Sequence, residues 1–179
     1  MEGDSIPAPP TNHEQSLAAG KRNVPAARRP RILVAGLGND LLMDDGVGVH
    51  IARRLRGQLP VGVRIAEVGT AVLDAIHLFE RADFIVAVDA MQAGGAPGTV
   101  YRFRPSDVET RDQATSLHEF SFVETLRFMR TPPVDVVIIG VEPQTLDYGL
   151  ELTPAVSAAV DRVIAEIKAV TAEWLEPVA

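Results

Sequence analysis

Residues 31–49 read RILVAGLGNDLLMDDGVGV. Ile32, Leu33, Val34 and Ala35 form a short apolar run that stops at Gly36-Leu37-Gly38. A run of this length bounded by glycines suits the first strand of a parallel α/β sheet, buried on both faces. In such sheets ligands bind beyond the carboxyl ends of the strands. The loop at that end carries Asp40, Asp44 and Asp45 and no basic residue. Those charges would repel a phosphate and attract a cation. Gly36-Leu37-Gly38 also fails as a dinucleotide fingerprint, because Leu41 stands where the third glycine is required. The chain has neither a P-loop nor a G-x-S-x-G nucleophile turn.

Outward from this stretch, strands alternate with helical patterns. Strands are expected over 31–36, 63–68, 84–89 and 134–141. Val47, Ile51, Leu55 and Leu59 recur every fourth residue and predict a helix over 46–59, ended by Pro60. Further helices are expected over 72–81 and 119–129, the latter with Phe122, Leu126 and Met129 on one side. Residues 99–104 set Val100 and Arg102 against Tyr101 and Phe103, which suits a half-exposed antiparallel edge. Residues 105–118 are polar and read as loop. Thr153 is placed to cap a last helix with Pro154 in its first turn. Val156, Val160, Val163, Ile167, Val170 and Trp174 give that helix its apolar stripe. The order β-α-β-α-β-β-α-β-α predicts a three-layer α/β domain, a mainly parallel five-stranded sheet with helices on both faces.

The chain has 179 residues, which suits one domain. A net charge of −7 argues against a nucleic-acid partner held through phosphates. No apolar run is long enough to span a membrane, and no secretory leader is recognisable, so a cytoplasmic protein without membrane insertion is expected. The cysteine count is 0, which removes disulfides, thiolate metal ligands and a cysteine nucleophile. Residues 1–30 are rich in proline and poor in large apolar residues, and are expected to form a disordered tail ahead of a single domain over 31–175. Lys21, Arg22, Arg28 and Arg29 make the end of that tail basic.

Three polar residues are candidates for a shared site. Asp45 lies in the loop after the first strand, Asp89 ends the third, and His118 sits before the third helix. A parallel sheet puts both acids at its carboxyl edge, and a loop entering a helix there could bring the imidazole over them. Two carboxylates and an imidazole suit a borderline divalent metal with positions left open. Each has a simpler reading: Asp45 favouring the positive end of a helix, Asp89 capping a loop, His118 on the surface. Glu67, in Glu67-Val68-Gly69-Thr70 at the same edge, could be a general base or an ordinary strand-end acid. His50 and His77 fall within expected helices and His13 in the tail, where structural or solvated roles suffice.

The motifs taken together resemble one family. Gly36-Leu37-Gly38-Asn39, Leu41-Leu42 and Asp44-Asp45-Gly46-Val47-Gly48 are followed by Gly69-Thr70, Val88-Asp89-Ala90 and Pro97-Gly98-Thr99. Leu117-His118, Ile139-Gly140-Val141-Glu142-Pro143 and Gly149-Leu150-Glu151-Leu152-Thr153-Pro154 complete the series. In order and spacing, over about residues 31–170, the set is similar to the hydrogenase maturation proteases. The resemblance implies a twisted five-stranded sheet between helices. It also implies an endopeptidase, of aspartyl type, that trims the carboxyl terminus of a nickel-iron hydrogenase large-subunit precursor after nickel insertion. The metal-binding positions would be Asp45, Asp89 and His118, the nickel would come with the precursor, and the enzyme would act as a monomer. Some members carry Asp-Gly-Gly-Thr where this chain has Glu67-Val68-Gly69-Thr70, so any catalytic role for that acid would fall to a longer side chain. Two other functions compete with this one. A non-catalytic nickel-sensing chaperone would keep the metal site without cutting. A nucleotide-binding α/β enzyme is disfavoured by the incomplete glycine motif and the acidic loop.

Overall fold

The computed structural model describes residues 28–108 and 117–176, with the side chains of residues 108 and 117–121 outside the description. The tail expected over residues 1–30 therefore lies outside the described residues as far as residue 27. From Arg28 onward the chain belongs to the fold. The Arg28 and Arg31 guanidinium groups each reach Asp83 at 2.9 Å, and the Arg31 backbone N–H donates to the same carboxylate at 2.8 Å. Burial alone would raise the Asp83 pKa. The Arg31 hydrogen bonds and the two positive charges outweigh it and hold the carboxyl below its usual range.

Five strands form one sheet: β1 (Ile32–Leu37), β2 (Val63–Gly69), β3 (Phe84–Ala90), β4 (Val100–Phe103) and β5 (Asp135–Val141). Their spatial order is β2-β1-β3-β5-β4, with β4 alone antiparallel. The helices are α1 (Val47–Arg54), α2 (Ile76–Phe79), α3 (Pro105–Val108), α4 (Leu117–Phe128) and α5 (Pro154–Leu175). The β1-α1-β2 and β2-α2-β3 connections run in opposite directions across the sheet. With right-handed crossovers they must place α1 and α2 on opposite faces.

The core follows that division. In β1, Val34 points to one face, and Leu33, Ala35 and Leu37 point to the other. Above Val34, Val86 and Ile139 lie Val47 and Ile51 of α1, Leu55 just past its end, and Val156, Val163 and Ile167 of α5. Below Leu33, Ile85 and Ile138 lie Phe79 of α2 and Phe122 of α4, their rings edge to face with centroids 5.3 Å apart. Trp174 is only partly buried and stacks on Phe84 at 5.0 Å.

Local structure departs from the periodic pattern in four places. The helix expected over 46–59 ends at Arg54, and turns carry the chain on through Gly57, whose φ of +75° suits glycine. Leu55 is nevertheless fully buried, so the apolar face outlasts the helix. The helix expected over 72–81 shrinks to one turn, Ile76–Phe79. The loop expected over 105–118 holds α3 and the start of α4, with residues 109–116 outside the described residues. Thr153 occupies the N-cap position of α5 with Pro154 following, but its side chain makes no cap bond. That hydroxyl is drawn away by a buried acid.

Candidate active site

The strand order places β2 and β3 on either side of β1, so chain connectivity reverses direction at β1. The carboxyl end of this switch point is the usual ligand crevice of an open α/β sheet. Asp89 lies in β3 and is almost fully buried; one of its oxygens accepts its neighbour Ala90's N–H at 2.9 Å. Asp45 lies in a 3-10 turn, Met43–Gly46, that leads into α1. Its Oδ2 accepts the N–H of Asn39 at 2.7 Å, two residues past the end of β1.

Gly38 joins the two acids. Its φ is +97°, and a Cβ there would fall 1.8 Å from the Asp45 carbonyl oxygen and 3.2 Å from Asp89 Oδ1. Only a residue without a side chain lets the Asp45 turn approach Asp89 so closely. Gly38 also donates its N–H to Gly69 at 3.2 Å, which ties the ends of β1 and β2 together. A second glycine seats the helix: a Cβ on Gly48 would lie 2.1 Å from the Val88 carbonyl oxygen and 2.6 Å from that of Leu37. The glycines of this loop therefore serve backbone contact between α1 and the sheet, which explains why they make no phosphate fingerprint.

Of the sequence-derived candidates, Asp45 and Asp89 come together around Gly38. His118 is the second residue of α4, and its side chain lies outside the description. Among the described residues no three His, Asp or Glu side chains gather into a metal site. Glu67 stands at the end of edge strand β2, where Arg53 Nε donates to it at 2.8 Å and Arg56 forms a second ion pair. Arg53 also reaches Asp40 at 2.6 Å, so one guanidinium links the acidic loop to β2. Both Glu67 carboxylate oxygens are thus engaged by guanidinium groups.

Sequence reasoning missed how differently the adjacent acids are used. Asp44 is fully buried and accepts four hydrogen bonds, from Gln144 N (2.9 Å), Thr145 N (3.3 Å), Thr153 N (2.7 Å) and Thr153 Oγ1 (2.8 Å). It fastens both ends of the 144–153 loop to the turn that carries Asp45. The same turn is entered through Met43 at φ +43°, an uncommon conformation for a side-chain-bearing residue, held by its N–H bond to Gly149 at 2.9 Å. The signal in the sequence is the Asp44-Asp45 doublet itself: in a tight turn, neighbouring side chains point apart. Glu142 has a comparable role on the other flank. It accepts from Ala93 N (2.8 Å), Gly94 N (3.2 Å) and Tyr101 Oη (2.8 Å), fixing the loop that follows Asp89. Burial pushes the Glu142 carboxyl up, but these donors outweigh it and hold it below the usual range.

The chain compares closely with known proteins. A profile of the hydrogenase maturation protease family matches residues 49–170, a span that includes Asp89 and His118. The hydrogenase expression/formation protein HupD of Rhodobacter capsulatus is 36% identical over 151 residues, covering 80% of this chain and 72% of HupD. The hydrogenase 2 maturation protease of Escherichia coli is 31% identical over 150 residues, covering 80% of this chain and 92% of its own length. Among solved structures, the hydrogenase maturating endopeptidase HybD of E. coli superposes with a TM-score of 0.71 at 30% identity, covering 80% of this chain and 93% of HybD. The hydrogenase maturation protease HybD of Thermococcus kodakarensis gives 0.67 at 25% identity, covering 78% and 98%.

Proposed function

This chain belongs to the hydrogenase maturation protease family and is an endopeptidase that processes hydrogenase; on that premise we propose that it cuts a nickel-iron large-subunit precursor near its carboxyl terminus once nickel is in place. The nickel arrives as part of the substrate. Asp45, Asp89 and His118 complete its coordination, while Glu67 is left to its arginines. Bound there, the metal would position the scissile bond and polarise its carbonyl as a Lewis acid. An aspartate of the pair would activate water.

The observation that carries this reading is the approach of Asp45 to Asp89 around Gly38. Two acids carried on adjoining segments at one sheet edge would offer a cation two of its ligands. With no cysteine in the chain, the site holds only hard and borderline donors. Such a site binds free metal weakly and gains affinity when precursor groups fill the remaining positions. The enzyme works in the cytoplasm as a monomer.

The test is single-turnover cleavage followed by intact mass. Nickel-loaded precursor should be cut once near its carboxyl terminus, nickel-free precursor should stay whole, and His118→Ala should abolish or strongly reduce the cut. Efficient cutting of nickel-free precursor by both wild type and His118→Ala would overturn the mechanism. A precursor that binds but is never cut would favour the chaperone reading.

A further inference from the structure

The loop that Asp44 fastens presents large apolar side chains to solvent. Tyr148 is 90% exposed and Leu150 63%, and beside them Leu41 is 57% and Leu146 37% exposed. The two segments are joined by backbone bonds, Gly149 N to Leu41 O at 3.0 Å and Met43 N to Gly149 O at 2.9 Å, with a parallel bridge between Leu42 and Gly149. These residues therefore form one rigid surface contiguous with the Asp45 turn. Mobile loops usually carry small polar residues at their tips; here two joined segments display an aromatic and three leucines. Contiguous exposed apolar side chains on a rigid frame mark a protein-binding surface. Its rim carries Asp147 and Glu151, both exposed, in a chain of net charge −7.

We infer that Leu41, Leu146, Tyr148 and Leu150 form the docking surface for the protein substrate, and that the segment seated there is apolar with basic flanking residues. The inference rests on the endopeptidase reading: a polypeptide whose bond is to be cut at Asp45 and Asp89 must lie across neighbouring surface. The acidic rim selects the charge of the flanks, because complementary charges at a rim set encounter rate and register. The surface is distinct from the acids that bind nickel, so it supplies the nickel-independent part of the affinity.

Equilibrium binding of nickel-free large-subunit precursor, which stays uncut, tests this directly with the full-length chain. Tyr148→Ser/Leu150→Ser should weaken binding by about tenfold or more, because each buried side chain contributes on the order of a tenfold change in affinity. Glu151→Lys should weaken it several-fold at low salt and much less at high salt. Val61→Ser, which alters an exposed residue just ahead of β2 at the opposite edge of the sheet, should bind like wild type. Thermal unfolding of each variant should match wild type, because the altered side chains are exposed. Wild-type affinity in both Tyr148→Ser/Leu150→Ser and Glu151→Lys, or no measurable binding by wild type, would overturn the inference. Surface-dependent binding without cleavage of nickel-loaded precursor would support the surface and sink the protease reading, so the two failures are separable.

Discussion

Asp44 and Asp45 are neighbours in sequence, and the structure predicts that they fail in different ways. In Asp44→Asn the best placement keeps the amide oxygen where Oδ2 was, still accepting from Gln144 N, Thr145 N and Thr153 Oγ1. The amide nitrogen then faces Thr153 N, a donor that was 2.7 Å from Oδ1. One charge-assisted bond is lost, worth about 1.5–3 kcal/mol, and a buried donor goes unsatisfied at about 1–3 kcal/mol. The expected loss is about 3 kcal/mol, which lowers Tm by roughly 6–12 °C in a chain of this size. Asp45→Asn keeps an oxygen for Asn39 N–H and should cost about 1 kcal/mol or less, yet remove a charge from the proposed nickel site. Urea unfolding and single-turnover cleavage on the two variants should therefore separate. Asp44→Asn should be unstable but retain cleavage at low temperature, whereas Asp45→Asn should be stable and cut slowly or not at all. If Asp44→Asn unfolds within about 0.5 kcal/mol of wild type, the size of an ordinary surface change, the reasoning about its four donors is wrong.

Glu67→Gln distinguishes a base from an ion-pair partner. A general base would lose about 10²–10⁴-fold in rate, whereas the pairs with Arg53 and Arg56 predict a single-turnover rate within about threefold of wild type, a change too small for lost base catalysis. Asp83 gives a pH signature. Its folded pKa is depressed, so its contribution is complete above the unfolded value of about 3.9 and fades as pH falls below it. Asp83→Asn should leave a flatter acid limb in stability against pH, and a limb as steep as wild type would rule the clamp out; the half-exposed arginines keep the effect modest. Gly48→Ala sets helix propensity, a gain of about 1 kcal/mol, against a Cβ meeting backbone carbonyls that cannot yield. Overpacking of this kind costs about 1–3 kcal/mol or more, so Tm should fall; an unchanged or raised Tm would contradict the close approach.

The layers were readable because the central strands β1, β3 and β5 are short apolar runs with a glycine or an acid at their ends, and α5 repeats its stripe without interruption. The shared location of Asp45 and Asp89 was readable too, since a parallel sheet sends Gly36-Leu37-Gly38 and Asp89 to one edge. What periodicity could not supply was local competition for hydrogen bonds. Thr153 has the sequence of a cap, and only the fold reveals that Asp44, distant in sequence, takes its hydroxyl. The arginine partners of Glu67 were likewise invisible in the sequence: only the fold brings Arg53 of α1 and Arg56, just beyond it, to the end of β2. Helix α1 stops early at Arg54, and Leu55, whose N–H still bonds the Ile51 carbonyl at 2.9 Å, is the last residue to keep the pattern before turns carry the chain through Gly57.

The attachment of the two acids bears on how such an enzyme could be retargeted. Asp89 is carried by β3 and Asp45 is pinned just past the end of β1, and these strands are ladder neighbours about 4.8 Å apart. The sheet thus acts as a ruler for the two acids, and of residues 144–152 only Gly149 is tied into that frame by backbone bonds, through its bridge to Leu42. An engineer could exchange the apolar tip of that loop for another without altering the ruler. The constraints are the anchors of the graft: the Gln144 and Thr145 amides and Thr153 must still meet Asp44, and Gly149 must still bond Leu41 and Met43, or the new tip will be a tether instead of a platform.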